Sequence, residues 1–282
     1  MGVERHVTKV LAVSSFVANG SVGLRAAMAA MTASRVDLIA VPTVILSNHP
    51  GHTTFAGAAT PVPQLSDMLT ALEANRALNA IDGVLIGYLP SPAHVALAYT
   101  AITRVKALNP SAIIVVDPVL GDDPDGLYID ASAAITIKET LASIADIITP
   151  NRFELAFLSD CDVVDTASAL NAAKRLKAGH VAATSIPVDA AHVGNLLRSA
   201  GGAKLATVAK SAHAPHGTGD LFASVLLAKC VQGVDLAAAW AAAVALCEHA
   251  IAVSGEATDL ALEKLEWSTP RSSPSVVLEE TA

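Results

Sequence analysis

Cysteine is scarce in this chain of 282 residues: Cys161, Cys230 and Cys247 are widely spaced and odd in number. That speaks against a disulfide framework or a zinc site and for a reducing compartment. Charge is scarce too, at 16% of residues, with 18 Lys and Arg against 26 Asp and Glu for a net −8. Such a balance is a poor match to nucleic acid or an anionic membrane as main partner. Residues 1–6 show no signal-peptide pattern. No apolar stretch reads as an evident membrane span, because the Ala-rich run 237–245 is too short and too weakly apolar. The expectation is a cytoplasmic protein. Two phosphate-binding signatures are also missing. No Gly-x-x-x-x-Gly-Lys-Ser/Thr occurs, and Phe222 stands where a dinucleotide fingerprint needs its third glycine.

What the chain has is apolar residues, 52% of the total, ample for a buried core. β-rich runs at 7–13, 36–44, 82–89, 112–118, 146–149 and 181–186 alternate with helical stretches ending near 31 and at 64–78, 93–108, 131–144, 152–159 and 166–177. Strands alternating with helices of 10–15 residues predict βαβ units and a mostly parallel sheet covered by helices on both faces. Residues 193–208, with Gly201–Gly202 in the middle, read as a hairpin. Helices follow at 218–232 and 235–253, with a short one near 259–265. One domain spans 1–267, and the Ser/Pro-rich tail 268–282 is expected to be flexible.

The chain is organised around Gly217-Thr218-Gly219-Asp220, which runs straight into an apolar helix-forming stretch. Gly217 and Gly219 are expected to take positive φ and turn their amides around an anion, at a helix start whose dipole favours negative charge. A carboxylate beside a bound phosphate makes chemical sense if it removes a proton from the attacking group. The pattern therefore points to phosphoryl transfer to a hydroxyl, with Asp220 as general base. A turn with an Asp cap explains the same four residues without any chemistry.

Ligands of open parallel sheets sit at the carboxyl ends of the strands. Those ends carry Ser14–Ser15, Thr43 to Gly51, Gly87–Tyr88, Asp117–Pro118, Thr149 to Glu154 and Thr184–Ser185. Singly, Ser15 is a turn serine, Tyr88 a core aromatic, and His49 and His52 a solvated loop. Together they recur where a site would lie. The His-x-x-His pairs 49/52 and 213/216 lack further ligands, which speaks against a transition metal.

Ser15, Asn48-His49, Gly87-Tyr88, Asp117-Pro-Val-x-Gly121, Thr149-Pro-Asn-x-x-Glu154 and Gly217-Thr-Gly-Asp220 occur in that order. Over residues 8–253 this resembles the ribokinase-like superfamily and, within it, the pyridoxal (vitamin B6) kinases. The stretch 44–49, Val-Ile-Leu-Ser-Asn-His, carries the likeness to the B6 kinases. The resemblance implies ATP-dependent phosphorylation of the 5′-hydroxymethyl of pyridoxal, with pyridoxine and pyridoxamine as further acceptors. It implies Asp220 as base and the Gly217, Thr218 and Gly219 loop as anion hole. Ser15, Thr43, His49, Pro50, Gly51 and Tyr88 would line the acceptor pocket, and Asp117, Thr149, Asn151, Glu154, Thr184 and Leu205, Ala206, Thr207, Val208 the ATP site. Asp117 and Glu154 would hold Mg²⁺, K⁺ is left open, and a homodimer is the family's usual assembly. Relatives have Thr or Gln where Pro50–Gly51 stands, and some have a lysine at Thr184. The alternatives are a hydroxymethylpyrimidine kinase, which the Ser47-Asn48-His49 loop disfavours, and a non-catalytic vitamin binder, which needs no base beside an anion hole.

Overall fold

Val10, Leu11, Ala12 and Val13 form an unbroken apolar run, the pattern of a strand covered on both faces. They become the fully buried middle of β1 (Lys9–Val17), whose alternate side chains enter separate cores on the two faces of one sheet. The structure, a computed structural model, describes residues 7–211, 213–268 and 277–281. After β1 come α1 (Leu24–Ala33), β2 (Asp37–Leu46), β3 (Gly57–Ala59) and α2 (Val62–Ala74). Next are β4 (Gly83–Ile86), α3 (Pro92–Leu108), β5 (Ile113–Val116), and the small hairpin β6 (Gly121–Asp122) and β7 (Gly126–Leu127). Then follow α4 (Ala131–Thr136), a π-helical turn (Ile137–Leu141), α5 (Ala142–Ile144), β8 (Ile147–Ile148), α6 (Arg152–Ser159) and α7 (Thr166–Arg175). The chain continues with β9 (His180–Pro187), β10 (His192–Ser199), β11 (Gly202–Ala209), α8 (Thr218–Val231), α9 (Leu236–Ser254) and β12 (Val277–Thr281).

The main sheet runs β12-β11-β10-β9-β8-β5-β4-β1-β2-β3. The six strands from β9 to β2 pair in parallel, and the others join antiparallel. One face carries α2, α3, α4, α6 and α7; the other carries α1, α8 and α9. Strand order turns back between β1 and β4, the crevice where an open α/β sheet binds its ligands.

The expected α/β architecture, with a mostly parallel central sheet and helices on both faces, is present. The helix expected over 64–78 ends at Ala74, because Arg76 takes a left-handed conformation (φ 59°) before a 3-10 turn at Ala77–Ala80. The 193–208 hairpin is β10–β11. Residues 269–276 of the expected flexible tail lie outside the described residues. Val277–Thr281 forms β12, antiparallel to β11, whose backbone would otherwise be a free sheet edge. The helix expected over 235–253 is α9. By length and composition it is apolar enough to cross a membrane. In this fold it instead packs Trp240, Ala243, Val244 and Leu246 against α8, β10 and β11.

Candidate active site

Each parallel strand delivers polar residues to the same edge of the sheet, with backbone bonds extending the ladder beyond the strand ends. The Gly87 amide donates to the Val13 carbonyl, Asp117 to Ile86, Thr149 to Val116 and Thr184 to Pro150. Opposite Ser15, the β1–β2 register slips, so that Thr43 and Val44 on β2 face one residue of β1. A bulge of this kind re-aims side chains at a strand end.

α8 enters this edge end-on. Gly217, with φ 95°, precedes its first turn, and a Cβ there would lie 1.9 Å from the Ser21 carbonyl oxygen. Glycine is therefore required twice over, by dihedral and by space. Gly219 behaves differently from the expectation: it is already helical, and a Cβ there would meet only Asp117 Oδ2, at 3.8 Å. The amides free to receive an anion are those of the open first turn of α8, which have no intrahelical acceptor. The Thr218 hydroxyl is committed to the Pro215 carbonyl at 2.8 Å.

Asp220, Asp117 and Ser14 line one small cavity of about 10 Å³ together with Gly23, Gly87 and the apolar Ala27, Leu85 and Ala223. Burial pushes the Asp220 carboxyl up to about 6 against a stabilising bond donated by the Gly23 amide. Asp117 is held well above the usual carboxylate range by burial first, then by Glu154 and Asp220. The buried Thr149 hydroxyl sits beside Asp117 and favours its ionised form, but makes no hydrogen bond of full geometry. Tyr128, after β7, was not expected here. Burial and the charges of Glu154, Asp117, Asp122 and Asp220 hold its pKa far up, although the residue as a whole is 53% exposed. A lone tyrosine in a loop gave no periodic signal for this placement.

Several expected site residues have other tasks. Glu154 is 3% exposed, and its Oε1 accepts from the Leu120 amide at 2.7 Å and its Oε2 from the Asn151 amide at 2.9 Å. Burial raises it to about 7 even so. Each oxygen accepts from a backbone amide, so Glu154 braces the 118–121 turn. That turn contains Val119 at φ 44°, an unfavourable conformation for a β-branched residue. Asn151 completes the capping box of α6 and donates to the Gly121 carbonyl at 2.8 Å, which commits it as well.

Thr43 is fully buried and donates to the Tyr88 carbonyl at 2.7 Å, while the Tyr88 amide donates to Ser14 Oγ at 3.1 Å. Ser14 and Thr43 therefore clamp the Gly87–Tyr88 backbone, and the partly buried Tyr88 packs against the adjoining core. Leu205 and Ala206 are core residues on opposite faces of β11, whereas Thr207, Val208 and Thr184 remain partly exposed. Ser15 is partly exposed at the bulge, against Gly23. His49, Pro50 and Gly51 are brought to the aspartate loop by a 3.9 Å ring stack between His49 and His216.

Replacing Glu154 by Gln is expected to lower Tm by roughly 2–8 °C, because an amide NH₂ would face a backbone donor. The magnesium concentration for half-maximal rate should stay unchanged. Thermal unfolding and a magnesium titration check this; a raised magnesium requirement at unchanged Tm would return Glu154 to the metal site.

A buried carboxylate at the first turn of a helix, across one cavity from a second carboxylate at a strand end, defines a phosphotransferase-type α/β site. Residues 18–263 match the model of the phosphomethylpyrimidine kinase family. The chain is 36% identical to the pyridoxine/pyridoxal/pyridoxamine kinase of Bordetella avium over 239 residues, 80% of this chain and 79% of the relative. It is 31% identical to Homo sapiens pyridoxal kinase, over 78% of this chain and 76% of the relative. The structure of Leishmania donovani pyridoxal kinase in complex with ADP and pyridoxamine superposes with a TM-score of 0.87 at 28% identity, covering 96% of this chain and 99% of that one. The chain belongs to the pyridoxal kinases of the ribokinase-like superfamily.

Proposed function

We propose that this protein transfers the terminal phosphoryl group of ATP to the 5′-hydroxymethyl of pyridoxal, and likewise of pyridoxine and pyridoxamine. The observation that carries this reading is Asp220, placed at the open first turn of α8 and on the same cavity as Asp117 and Ser14. With its carboxyl near 6, Asp220 is largely ionised at neutral pH yet basic enough to take the hydroxymethyl proton as the new O–P bond forms. The amides of the α8 first turn offer positive potential to the transferring phosphoryl group.

Glu154 and Asp220 both raise the proton affinity of the buried Asp117, a concentration of negative charge that suits a hard cation with oxygen ligands. Among the described residues no three His, Cys, Asp or Glu side chains form a closed metal cage. Magnesium does not need one, since it keeps waters and is held by one or two carboxylates plus substrate phosphates. Asp117 is the residue here that would hold it, and the ion would neutralise phosphate charge. Thr184, Thr207 and Val208 are the expected nucleotide-site residues still exposed to a ligand. A cytoplasmic setting and a homodimer complete the reading, and three free cysteines agree with the former.

The test is ATP consumption by wild type and by Ser15→Ala with pyridoxal, pyridoxine, pyridoxamine and hydroxymethylpyrimidine. The expected result is turnover of the three vitamers above that of the pyrimidine. Ser15→Ala should raise the vitamer KM roughly threefold to tenfold, as for one lost hydrogen bond, with little change for ATP. Preference for the pyrimidine would favour the pyrimidine kinase reading, and equal effects on both KM values would place Ser15 outside the acceptor pocket.

A further inference from the structure

Three segments distant in sequence meet beside the aspartate loop. The 47–54 loop brings His49 and His52, the approach to α8 brings His213 and His216, and the stretch after α9 brings Asp259. His49 stacks on His216 with ring centroids 3.9 Å apart and planes at 30°. His52 Nε2 lies 3.1 Å from Asp259 Oδ2. The Gly51 amide donates to His49 Nδ1 at 3.1 Å, and a Cβ on Gly51 would come within 2.8 Å of His216 Nε2. The loop is thus pressed onto His216 with no side chain between.

Asp259 is itself anchored. The His216 amide donates to the Thr258 carbonyl at 2.8 Å, and the Leu260 amide donates to the His216 carbonyl at 3.2 Å, a single parallel bridge between His216 and Asp259. Its Oδ2 would lie 3.0 Å from a Cβ on Gly20, and its Oδ1 is buried with no hydrogen-bond partner. A carboxylate partly shielded from water, its side chain 17% exposed, with one oxygen unused, gains most from a neighbouring donor. The donor in reach is His52. Burial and the neighbouring imidazole of His216 push His49 down to about 4, so the stacked rings do not repel each other at neutral pH.

We propose that Asp259 is a positioning residue for the phosphoryl acceptor: through His52 it holds the 47–54 loop on His216, the residue that leads directly into Gly217. Asp259 needs no contact with substrate for this. It fixes the wall formed by His49, Pro50 and Gly51 relative to the base Asp220, four residues beyond His216. The inference rests on the kinase reading above and deepens its acceptor site.

The experiment measures kcat and both KM values for wild type, Asp259→Asn, His52→Gln, the double variant and Asp259→Glu, with pyridoxal and ATP. Each single variant should raise KM for pyridoxal roughly threefold to tenfold, as for loss of one charge-assisted bond, with KM for ATP and kcat within about twofold. The double variant should be no worse than either single one, since both break the same link. Asp259→Glu should recover part of the loss. If Asp259→Asn lowers Tm, His52→Gln, at the more exposed end of the pair, carries the comparison alone. Additive effects, equal shifts in the two KM values, or an unchanged pyridoxal KM in His52→Gln would overturn the inference. Wild type without turnover on pyridoxal would instead overturn the kinase reading, so the two failures are distinguishable.

Discussion

Asparagine in place of Asp220 is expected to lower turnover by at least two orders of magnitude while leaving ATP affinity nearly unchanged. The substitution keeps size and hydrogen bonding but removes the proton acceptor, and a positioned general base contributes about 10²–10⁴-fold. A pH signature goes with it. Burial lifts the Asp220 carboxyl to about 6, and the ionised form is the one that accepts the proton. The wild-type kcat/KM for the vitamer should therefore rise with pH through about 6 and then level, and the variant should lose that limb. Stability should move the opposite way. The folded-state pKa lies above the ordinary carboxylate value of 3.8, so the folded protein binds more protons than the unfolded chain between the two values, and this carboxyl costs stability as pH rises through them. The Tm advantage of the Asn variant should thus grow from pH 4 to pH 7. Activity above about a tenth of wild type would leave Asp220 a buried first-turn carboxylate that holds the Gly23 amide, and not the base.

The two glycines of the loop should separate cleanly. Gly217→Ala forces a Cβ into the Ser21 carbonyl at 1.9 Å and a side chain into φ 95°, so the loop must shift as a whole. Turnover should fall at least 100-fold, the scale of a misplaced catalytic group, together with ATP affinity and Tm. Gly219→Ala has room, with Asp117 Oδ2 at 3.8 Å as the nearest atom. Its fold and Tm should hold, since alanine suits a helix better than glycine. Its methyl group nevertheless projects toward the Asp117 carboxylate, so nucleotide affinity and turnover should fall while stability does not. Measuring kcat, both KM values and Tm for the pair decides the matter. A Gly217→Ala enzyme with normal Tm and turnover would mean that the loop tolerates a different path.

Much of this architecture was legible because it is written in short periods. The run 10–13 is apolar on both faces, so it reads as a central strand. The helix over 152–159 matches because its capping box, Asn151 with Glu154, is a local signal. The same locality leaves out what these two side chains also do. Glu154 and Asn151 stand in a motif that resembles a nucleotide site, yet both side chains also bond the 118–121 turn: Glu154 accepts from the Leu120 amide and Asn151 donates to the Gly121 carbonyl, contacts across 34 and 30 residues that no spacing announces. Leu205 and Ala206 were likewise assigned to a ligand, whereas the sheet puts one in each core. Gly219 looked equivalent to Gly217, but a clash with Ser21 exists for only one of them, and that depends on how the 20–23 turn meets α8.

The sequence by itself determined the strand–helix alternation, the parallel sheet and the aspartate at the head of α8, since hydrophobic period and glycine chemistry act over a few residues. Only the tertiary structure decided which carboxylates share a cavity, which are taken by backbone amides, and that Asp259 reaches the His49–His52 loop. Those outcomes depend on distances between segments up to about 200 residues apart, where a sequence carries the parts but no coordinate that brings them together.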